Sequence, residues 1–402
     1  MHAIEHVRYL SKWIGPRGST TPEEREAARY AFGVLRDSGL EPAIERFSSA
    51  LSGWRSYSLF AFLVLVSAAL FWTSNLWCGV AAVILGTAAF VSVLLELCFL
   101  PNPLRWMLPK GNSSNVWARI PAASEVRTRV VFLGHLDTHR TPLAFSTSGW
   151  LWVFKVLIPS SMVSTVLLLM LFVMNLLQPN AAWWHWLSVP FIVQLLFVLV
   201  LTFQADLTPF TDGANDNATG AGIVLGLAQR LAKQPLLHTE VWAVLPGCEE
   251  VGCYGAEAFA RSHARELTGA CWVAIDSVGG RGDEVAYVEK EIFLRSTPSD
   301  PGLLQLAVEI GRRRPELRVR SQVFRGAYTD GSVGGRHGFR ALTLLGLVRE
   351  HWHRPSDVFE NVDPETLQRY ENFVWELTCE IDRAGKSCVA RGPFQSINTG
   401  AG

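Results

Sequence analysis

The sequence predicts an α/β fold, a mixed and largely parallel sheet sandwiched by helices, with two transmembrane helical hairpins inserted into it. Three observations lead there. Short segments rich in β-branched and aromatic residues alternate with helical ones through the polar sequence. Four apolar runs, arranged as two pairs, are each about as long as a bilayer crossing. Charged residues make up only 18% of the 402, below the roughly 25% of soluble domains, and mean hydropathy is +0.20, so lipid is the candidate for hiding the excess. A formal net charge of zero leaves no electrostatic footprint for nucleic acid, which is excluded as a partner.

The chain opens with Ile4-Glu-His-Val-Arg-Tyr-Leu at helical spacing. A second helix starts at Thr20-Thr-Pro-Glu-Glu-Arg, where a threonine caps and Pro22 sits in the first turn. It should stop at Ser38-Gly39 and lead into a strand near residues 42–47. No basic end followed by an apolar stretch precedes these elements, so no cleavable signal peptide is expected.

Composition then changes abruptly. Residues 59–72 and 76–100 are almost wholly apolar, separated by Thr73-Ser-Asn75, and the first run reaches spanning length if 54–58 contributes. The pattern recurs at 150–177 and 183–203, joined by Gln178-Pro-Asn180. Arg46, Arg55, Arg105, Lys110, Arg140 and Lys155 flank the outer ends of both hairpins, while neither tip carries Lys or Arg. The positive-inside rule therefore places the termini and the polar domain in the cytoplasm. Tryptophans mark both expected interfaces, Trp54, Trp106, Trp150 and Trp152 at the near one and Trp72, Trp77, Trp183, Trp184 and Trp186 at the far one. Glu96 could snorkel or face another helix and receives no role.

The remaining polar sequence reads as strands at 114–120, 128–134, 240–246, 270–275 and 341–346. Helices are expected after Gly222 and around 256–262, 301–313 and 364–381. The organisation is thus an α/β domain in three pieces, 1–53, 107–149 and 206–390, interrupted by hairpins at 54–106 and 150–205 and followed by a loose tail at 391–402. Scattered cysteines, with Cys78 and Cys98 inside apolar runs, fit reduced thiols, as does the Cys248 and Cys253 pair in a cytoplasmic domain.

Ligands in open α/β sheets gather beyond the carboxyl ends of strands. His135-Leu-Asp137 follows one predicted strand, Glu249 and Glu250 another, Asp276 a third, and His353 comes somewhat after a fourth. Asp216 lies in Thr211-Asp-Gly-Ala-Asn-Asp-Asn-Ala-Thr-Gly-Ala-Gly222, a glycine-rich loop opening a helix that Asp212 or Asn215 could cap. A carboxylate held there can bridge two cations. Two imidazoles and several carboxylates suit hard or borderline ions. On a continuing strand Asp137 would reach back to His135 and fix its tautomer. Adjacent glutamates point apart, so one of Glu249 and Glu250 can bind metal while the other faces a water as base.

The motifs Gly134-His-Leu-Asp-Thr, Gly213-Ala-Asn-Asp-Asn-Ala-Thr-Gly, Cys248-Glu-Glu-Val-Gly, Ala274-Ile-Asp-Ser-Val-Gly and Trp352-His-Arg-Pro-Ser-Asp resemble, in order, the ligand loops of a known family. It comprises the co-catalytic dizinc exopeptidases of peptidase family twenty-eight, which include bacterial aminopeptidases and glutaminyl cyclase. Ile14-Gly-Pro-Arg-Gly-Ser-Thr and Thr329-Asp330-Gly-Ser also fit, and the likeness covers nearly all the polar sequence but neither hairpin. The resemblance implies the zinc-exopeptidase fold and two Zn2+ ions, other divalent metals being possible. One ion would be held by His135 and Asp276, the other by Glu250 and His353, with Asp216 bridging. It also implies Glu249 as general base and Asp137 as the residue behind His135. His351 competes with His353, but the Asp four residues after the ligand histidine favours His353 with Asp357, and His139 and His337 are left as ordinary polar residues.

The activity implied is hydrolysis of a peptide or small amide, most simply removal of N-terminal residues by an aminopeptidase. The alternatives are a glutaminyl cyclase-like acyltransferase, which Trp352 resembles, an amidase on lipidated amino acids, and a binding protein without catalysis. Both hairpins depart from the family pattern and predict an active-site mouth near the lipid surface; Gly331, where the family often has His, departs at the substrate side. The lipid bilayer is an expected partner, and the transmembrane helices offer a route to a homo-oligomer.

Overall fold

In the computed structural model of the chain, residues 2–385 are described apart from 99, 101, 180 and 182. The predicted tail at 391–402 and Asn180 of the second connector lie outside the described residues. In chain order the elements are α1 (Ala3–Arg8), α2 (Pro22–Asp37), β1 (Ala43–Ala50), α3 (Trp54–Phe71), α4 (Leu76–Leu97), β2 (Lys110–Ile120), β3 (Thr128–Leu133), α5 (Leu143–Ser146), α6 (Ser148–Leu177), α7 (Trp183–Leu207), α8 (Thr219–Lys233), β4 (Thr239–Leu245), α9 (Tyr254–His263), β5 (Cys271–Asp276), β6 (Val285–Ile292), β7 (Ser296–Pro298), α10 (Pro301–Arg313), β8 (Val319–Arg325), α11 (Asp330–Arg336), β9 (Arg340–Leu345) and α12 (Pro364–Ala384). They form two compact units. The first takes the chain up to Ser49, Asn112–His139, and the chain from Thr211 onward; the second takes Ala50–Gly111 and Arg140–Phe210.

The first unit is a mixed sheet in the order β1-β2-β4-β3-β5-β9-β6-β7, with β8 paired to β6. Its centre, β4-β3-β5-β9, is parallel, while β2 and β6 join it antiparallel. Alternation decides the layers. Val130 and Phe132 of β3, with Val241, Ala243 and Leu245 of β4, face a core shared with α1, α2, α8, α10 and α12. Val131, Leu133, Trp242 and Val244 face the opposite core, shared with α9 and α11. Burial on both faces explains why these strands read as continuous apolar runs. The predicted strands and helices are present; β6 and β8, mixed in polarity, and the short α5, β7 and α11 were not anticipated.

Local chemistry accounts for the element ends. Thr21 caps α2 by accepting from the Glu24 N–H at 3.3 Å, with Pro22 in the first turn. Two expectations for the Asp216 loop need correction. Neither Asp212 nor Asn215 caps α8, which starts after Ala218; instead the Asn217 side chain accepts from the Gly220 N–H at 2.9 Å. Gly220 and Gly222 lie inside the helix, and at Gly220 a Cβ would sit 2.1 Å from the Ile275 carbonyl oxygen, so glycine is required for α8 to approach β5.

The second unit is built from α3, α4, α6 and α7. These four helices are long and apolar enough to cross a membrane. They pack mainly as α3 on α4 and α7 and α6 on α4 and α7, with a smaller contact between α3 and α6. Small and polar side chains lie inward: Ser67, Ser161, Thr165, Ser188 and Thr202 are fully buried, and Ser164 donates to Gln194 at 2.5 Å. Large apolar side chains such as Ile84, Val163, Met170 and Phe203 face outward. This is the polarity that helix packing in lipid requires. The hairpin tips meet, the Trp72 indole N–H donating to Ser188 at 3.1 Å. Within the same unit Arg105 pairs with Glu96, and Arg55 with Asp206 at 2.7 Å. Glu96 thereby has a partner inside the unit.

Candidate metal centre

The first unit gathers the predicted site residues beyond the carboxyl ends of its parallel strands. β3 stops at Leu133, so His135 and Asp137 lie in the loop after it rather than on a continuing strand as expected. At Gly134 a Cβ would fall 2.4 Å from Gly220, and this close approach sets the His135 ring beside the Asp216 loop. That loop turns through Gly213 at φ +55° and carries a cis peptide between Asp216 and Asn217. Glu249 and Glu250 occupy the turn after β4, Asp276 ends β5, and His353 lies in the turns after β9.

Asp216 is the centre of the constellation. Its Oδ1 is 3.4 Å from His135 Nε2 and its Oδ2 is 3.3 Å from His353 Nε2. Around these, Asp276 and Glu249 each lie 4.0 Å from His135 Nε2, and Glu250 lies 3.5 Å from His353 Nε2. His351, the competitor of His353, is instead bonded to Ser356 at 2.9 Å. His135 Nδ1 makes its 3.1 Å hydrogen bond with the main-chain carbonyl of Asp137. That bond keeps a proton on Nδ1 and turns Nε2 toward the carboxylates. The expected carboxylate contact is longer, 3.5 Å, because the Asp137 carboxylate is engaged by the Glu249 and Glu250 N–H groups at 2.9 and 3.1 Å and by the Ser19 hydroxyl at 2.6 Å. Asp137 therefore organises the Glu249-Glu250 turn as well as the histidine.

Charge is crowded here. Burial, and then the neighbouring carboxylates Asp330, Glu250 and Asp276, push Glu249 well above the ordinary carboxyl range. Burial and Asp216 do the same to Glu250, and raise Asp276 to about 6. For Asp216 burial opposes ionisation, but His135 and His353 outweigh it and hold the carboxyl well below its ordinary value. His135 Nε2 and Glu250 Oε1 are buried without a hydrogen-bond partner. Uncompensated acceptors and carboxylates that resist ionising together are what divalent cations relieve. Among the described residues three sets of side chains offer atoms within 4.8 Å of one another for an ion, and two of them contain the histidines: His135, Asp216 and Glu250, and His139, Glu250 and His353; Asp276 is in none of the three. The donor set of imidazole nitrogen and carboxylate oxygen fits zinc.

A shell of buried groups anchors these loops. The Arg17 guanidinium donates to the carbonyls of Leu136 at 2.8 Å, Leu10 at 2.9 Å, Gly15 at 3.0 Å, Asp212 at 2.6 Å and Gly213 at 3.0 Å. Glu24 accepts from the Cys248 N–H at 2.9 Å and the Ser113 hydroxyl at 2.9 Å. Burial, reinforced by Asp137, raises Glu24 to about 8. Asp357 accepts from the N–H groups of Asn215 and Asp216 at 2.7 and 3.1 Å. Arg17 lies in a motif noted from sequence without a role, and Glu24 reads there only as a helix-start acid. His139, set aside as ordinary, stacks on His353 with ring centroids 3.6 Å apart; its only sequence signal is position, four residues after His135. His337, by contrast, bonds Glu257 at 3.0 Å.

Residues 196–378 match the profile of Peptidase family M28. That span contains Asp216, Glu249, Glu250, Asp276 and His353 and begins after His135 and Asp137. Among solved structures the chain is similar to a Fimbriiglobus ruber glutaminyl cyclase, with 15% identity, 94% of this chain and 93% of that chain covered, and a TM-score of 0.56. It is also similar to a zinc aminopeptidase from Bacillus subtilis (14% identity, 94% of each chain, TM-score 0.55) and to a leucine aminopeptidase precursor from Bacteroides thetaiotaomicron (12% identity, 94% and 95% covered, TM-score 0.54). The likeness is one of fold. No curated protein matches the sequence.

Proposed function

We propose that the chain is a membrane-anchored, zinc-dependent metallopeptidase that hydrolyses peptide or small amide bonds, most simply an aminopeptidase. The observation that carries this reading is Asp216, with one carboxylate oxygen facing each of two imidazoles 3.4 and 3.3 Å away. His135 and Asp276 would hold one zinc ion, Glu250 and His353 the other, with Asp216 between them. When bound, such a pair supplies Lewis acidity toward a water and the scissile carbonyl and lowers the pKa of the water. Glu249, buried beside this group and tethered through its N–H to Asp137, is the base that accepts a proton at its carboxylate and delivers it to the leaving amine. Asp137 holds Glu249, Glu250 and His135 in mutual register through three hydrogen bonds.

On this reading the four apolar helices, each long enough to cross a bilayer, anchor the chain, and the Lys and Arg residues at their outer ends favour a cytoplasmic α/β unit. The same helices are the surface through which copies would associate. A cyclase is the second reading, favoured by the Trp352 ring 4.1 Å from that of His353, an aromatic wall beside the ligand histidine.

Elemental analysis of detergent-purified wild type and Glu249→Gln, with a panel of aminoacyl amides and N-terminal glutaminyl peptides, tests both readings. About two zinc ions per chain in each protein, with amide hydrolysis lost only in the variant, is the expected result. Cyclisation without hydrolysis would replace the peptidase with the cyclase, and a metal-free, inactive wild type would sink both.

A further inference from the structure

Beside the paired-ion site lies a second cluster, of which the reading above uses only Glu249. Cys253 precedes α9 at φ +53°, its N–H bonded to the Glu249 carbonyl at 2.7 Å, and this backward turn brings its Sγ to 3.3 Å from Glu249 Oε1. Across from it is Asp330, only 4% exposed, with Oδ1 buried and lacking a hydrogen-bond partner. Its position is imposed by the core. Thr329 caps α11, its N–H and hydroxyl both donating to Glu291 at 2.8 Å, and the Trp272 indole donates to the Asp330 carbonyl at 2.9 Å. Ligand atoms of Glu249, Cys253 and Asp330 all lie within 4.8 Å of one another.

Negative charge is in excess here. The carboxylates crowded here are Asp137, Asp216, Glu249, Glu250, Asp276 and Asp330. Two divalent ions bring four positive charges, matching Asp137, Asp216, Glu250 and Asp276 and leaving Glu249 and Asp330. A thiol and two carboxylates form a donor set that differs from the paired-ion site by its sulfur, and so prefers softer ions such as Zn2+ or Cd2+.

We infer that Cys253, Asp330 and Glu249 form a third, thiophilic divalent-cation site whose occupation silences the protein by engaging Glu249. Binding replaces the thiol proton: the S–H bond breaks, a sulfur–metal bond forms, the proton leaves to solvent, and nothing is oxidised. A Glu249 carboxylate bound to a cation can no longer accept a proton, so excess zinc inhibits. The inhibitory consequence rests on Glu249 acting as base; the site itself does not.

Cd2+ titration of the metal-free, detergent-purified full chain, followed by ultraviolet thiolate-to-metal charge transfer, tests the site without reference to turnover. The expected result is a band that grows in wild type, is absent in Cys253→Ser, persists in Cys248→Ser, and needs at least about tenfold more Cd2+ in Asp330→Asn. No band in wild type, or an unchanged band in Cys253→Ser, overturns the site. In parallel, the zinc concentration that half-inhibits hydrolysis should rise about tenfold or more in Cys253→Ser; an unchanged value overturns the inhibitory role. Failure of the paired-ion reading shows separately, as wild type that takes up no zinc at its sulfur-free ligands.

Discussion

Arg17→Lys keeps the charge and nearly the length of the side chain, yet it should cripple the metal centre. The guanidinium is fully buried and reaches five main-chain carbonyls, three of them sharing the two hydrogens of Nη1, joining the loop before Asp137 to the loop before Asp216. Burial pulls its pKa down to about 10, partly offset by Asp357, Asp137, Asp212 and Asp216, so it stays charged at neutral pH. A lysine ammonium has three donors on a flexible stem and cannot reproduce the planar fork. At least two of the five carbonyls would lose their donor, at about 1–3 kcal/mol each for a buried unsatisfied group, or roughly 2–6 kcal/mol together. Against a usual total of about 5–15 kcal/mol that is a large fraction. The metal-free melting temperature should fall by at least about 4 °C, taking roughly 2–4 °C per kcal/mol. Zinc affinity should fall about 10–100-fold, as for other lost supports of metal ligands. Thermal melts and zinc competition titrations on wild type and variant read both quantities. Wild-type melting and wild-type zinc affinity in Arg17→Lys would show that the five bonds do not hold the two loops together.

Asp137→Asn keeps the size of the side chain but removes the charge that meets two N–H groups; zinc affinity should drop about 10–100-fold with little change in far-ultraviolet dichroism. Gly220→Ala would place a methyl 2.1 Å from the Ile275 carbonyl oxygen and 2.5 Å from Asn217 Oδ1, and should cost about 3 kcal/mol or more, seen as loss of protease resistance in the α/β unit. His6 is buried between Tyr30 at 2.7 Å and Gln229 at 3.1 Å, and burial lowers its pKa despite the raising effect of Gln229. The unfolded chain therefore takes up the proton first. The resulting stability is present above the unfolded value of about 6.5 and is lost as pH falls. Between pH 7.5 and 5.5 the metal-free melting temperature should fall more steeply in wild type than in His6→Gln; equal slopes would show that His6 carries none of the dependence.

Much of this architecture was legible because its causes are local. The central strands are apolar on both faces and the four long helices overwhelmingly apolar over spanning length, so length and composition alone separate them. The Thr21-Pro22 start of α2 carries its own cap. The β6 end of the sheet was not legible: Val285–Ile292 contains Glu289, Lys290 and Glu291, and its pairing with β8 and β9 is decided by segments later in the chain. Asp216 and the strand-end residues could be nominated by their order after the strands, and their mutual approach depends on Gly134 meeting Gly220. The support was hidden for a different reason. Arg17 and Glu24 are ordinary surface types in ordinary positions, and only the fold shows that a few consecutive turns near the N-terminus tie down three loops.

The junction of the second insertion has a consequence for how the protein comes into being. The Thr211 N–H donates to the His139 carbonyl at 2.9 Å, so the excursion of Arg140–Phe210 leaves and re-enters the α/β unit at one point. Closing so long a loop costs little more than closing a short one, because the entropy grows only with the logarithm of length. Timing is another matter. During synthesis His135 emerges ahead of α6 and α7, while Asp216, Glu249, Glu250, Asp276 and His353 all follow them. The nascent chain thus holds His135 and His139 but no His353 until every apolar helix has been made, and the candidate ion site can close only on a chain whose four long helices have already left the ribosome.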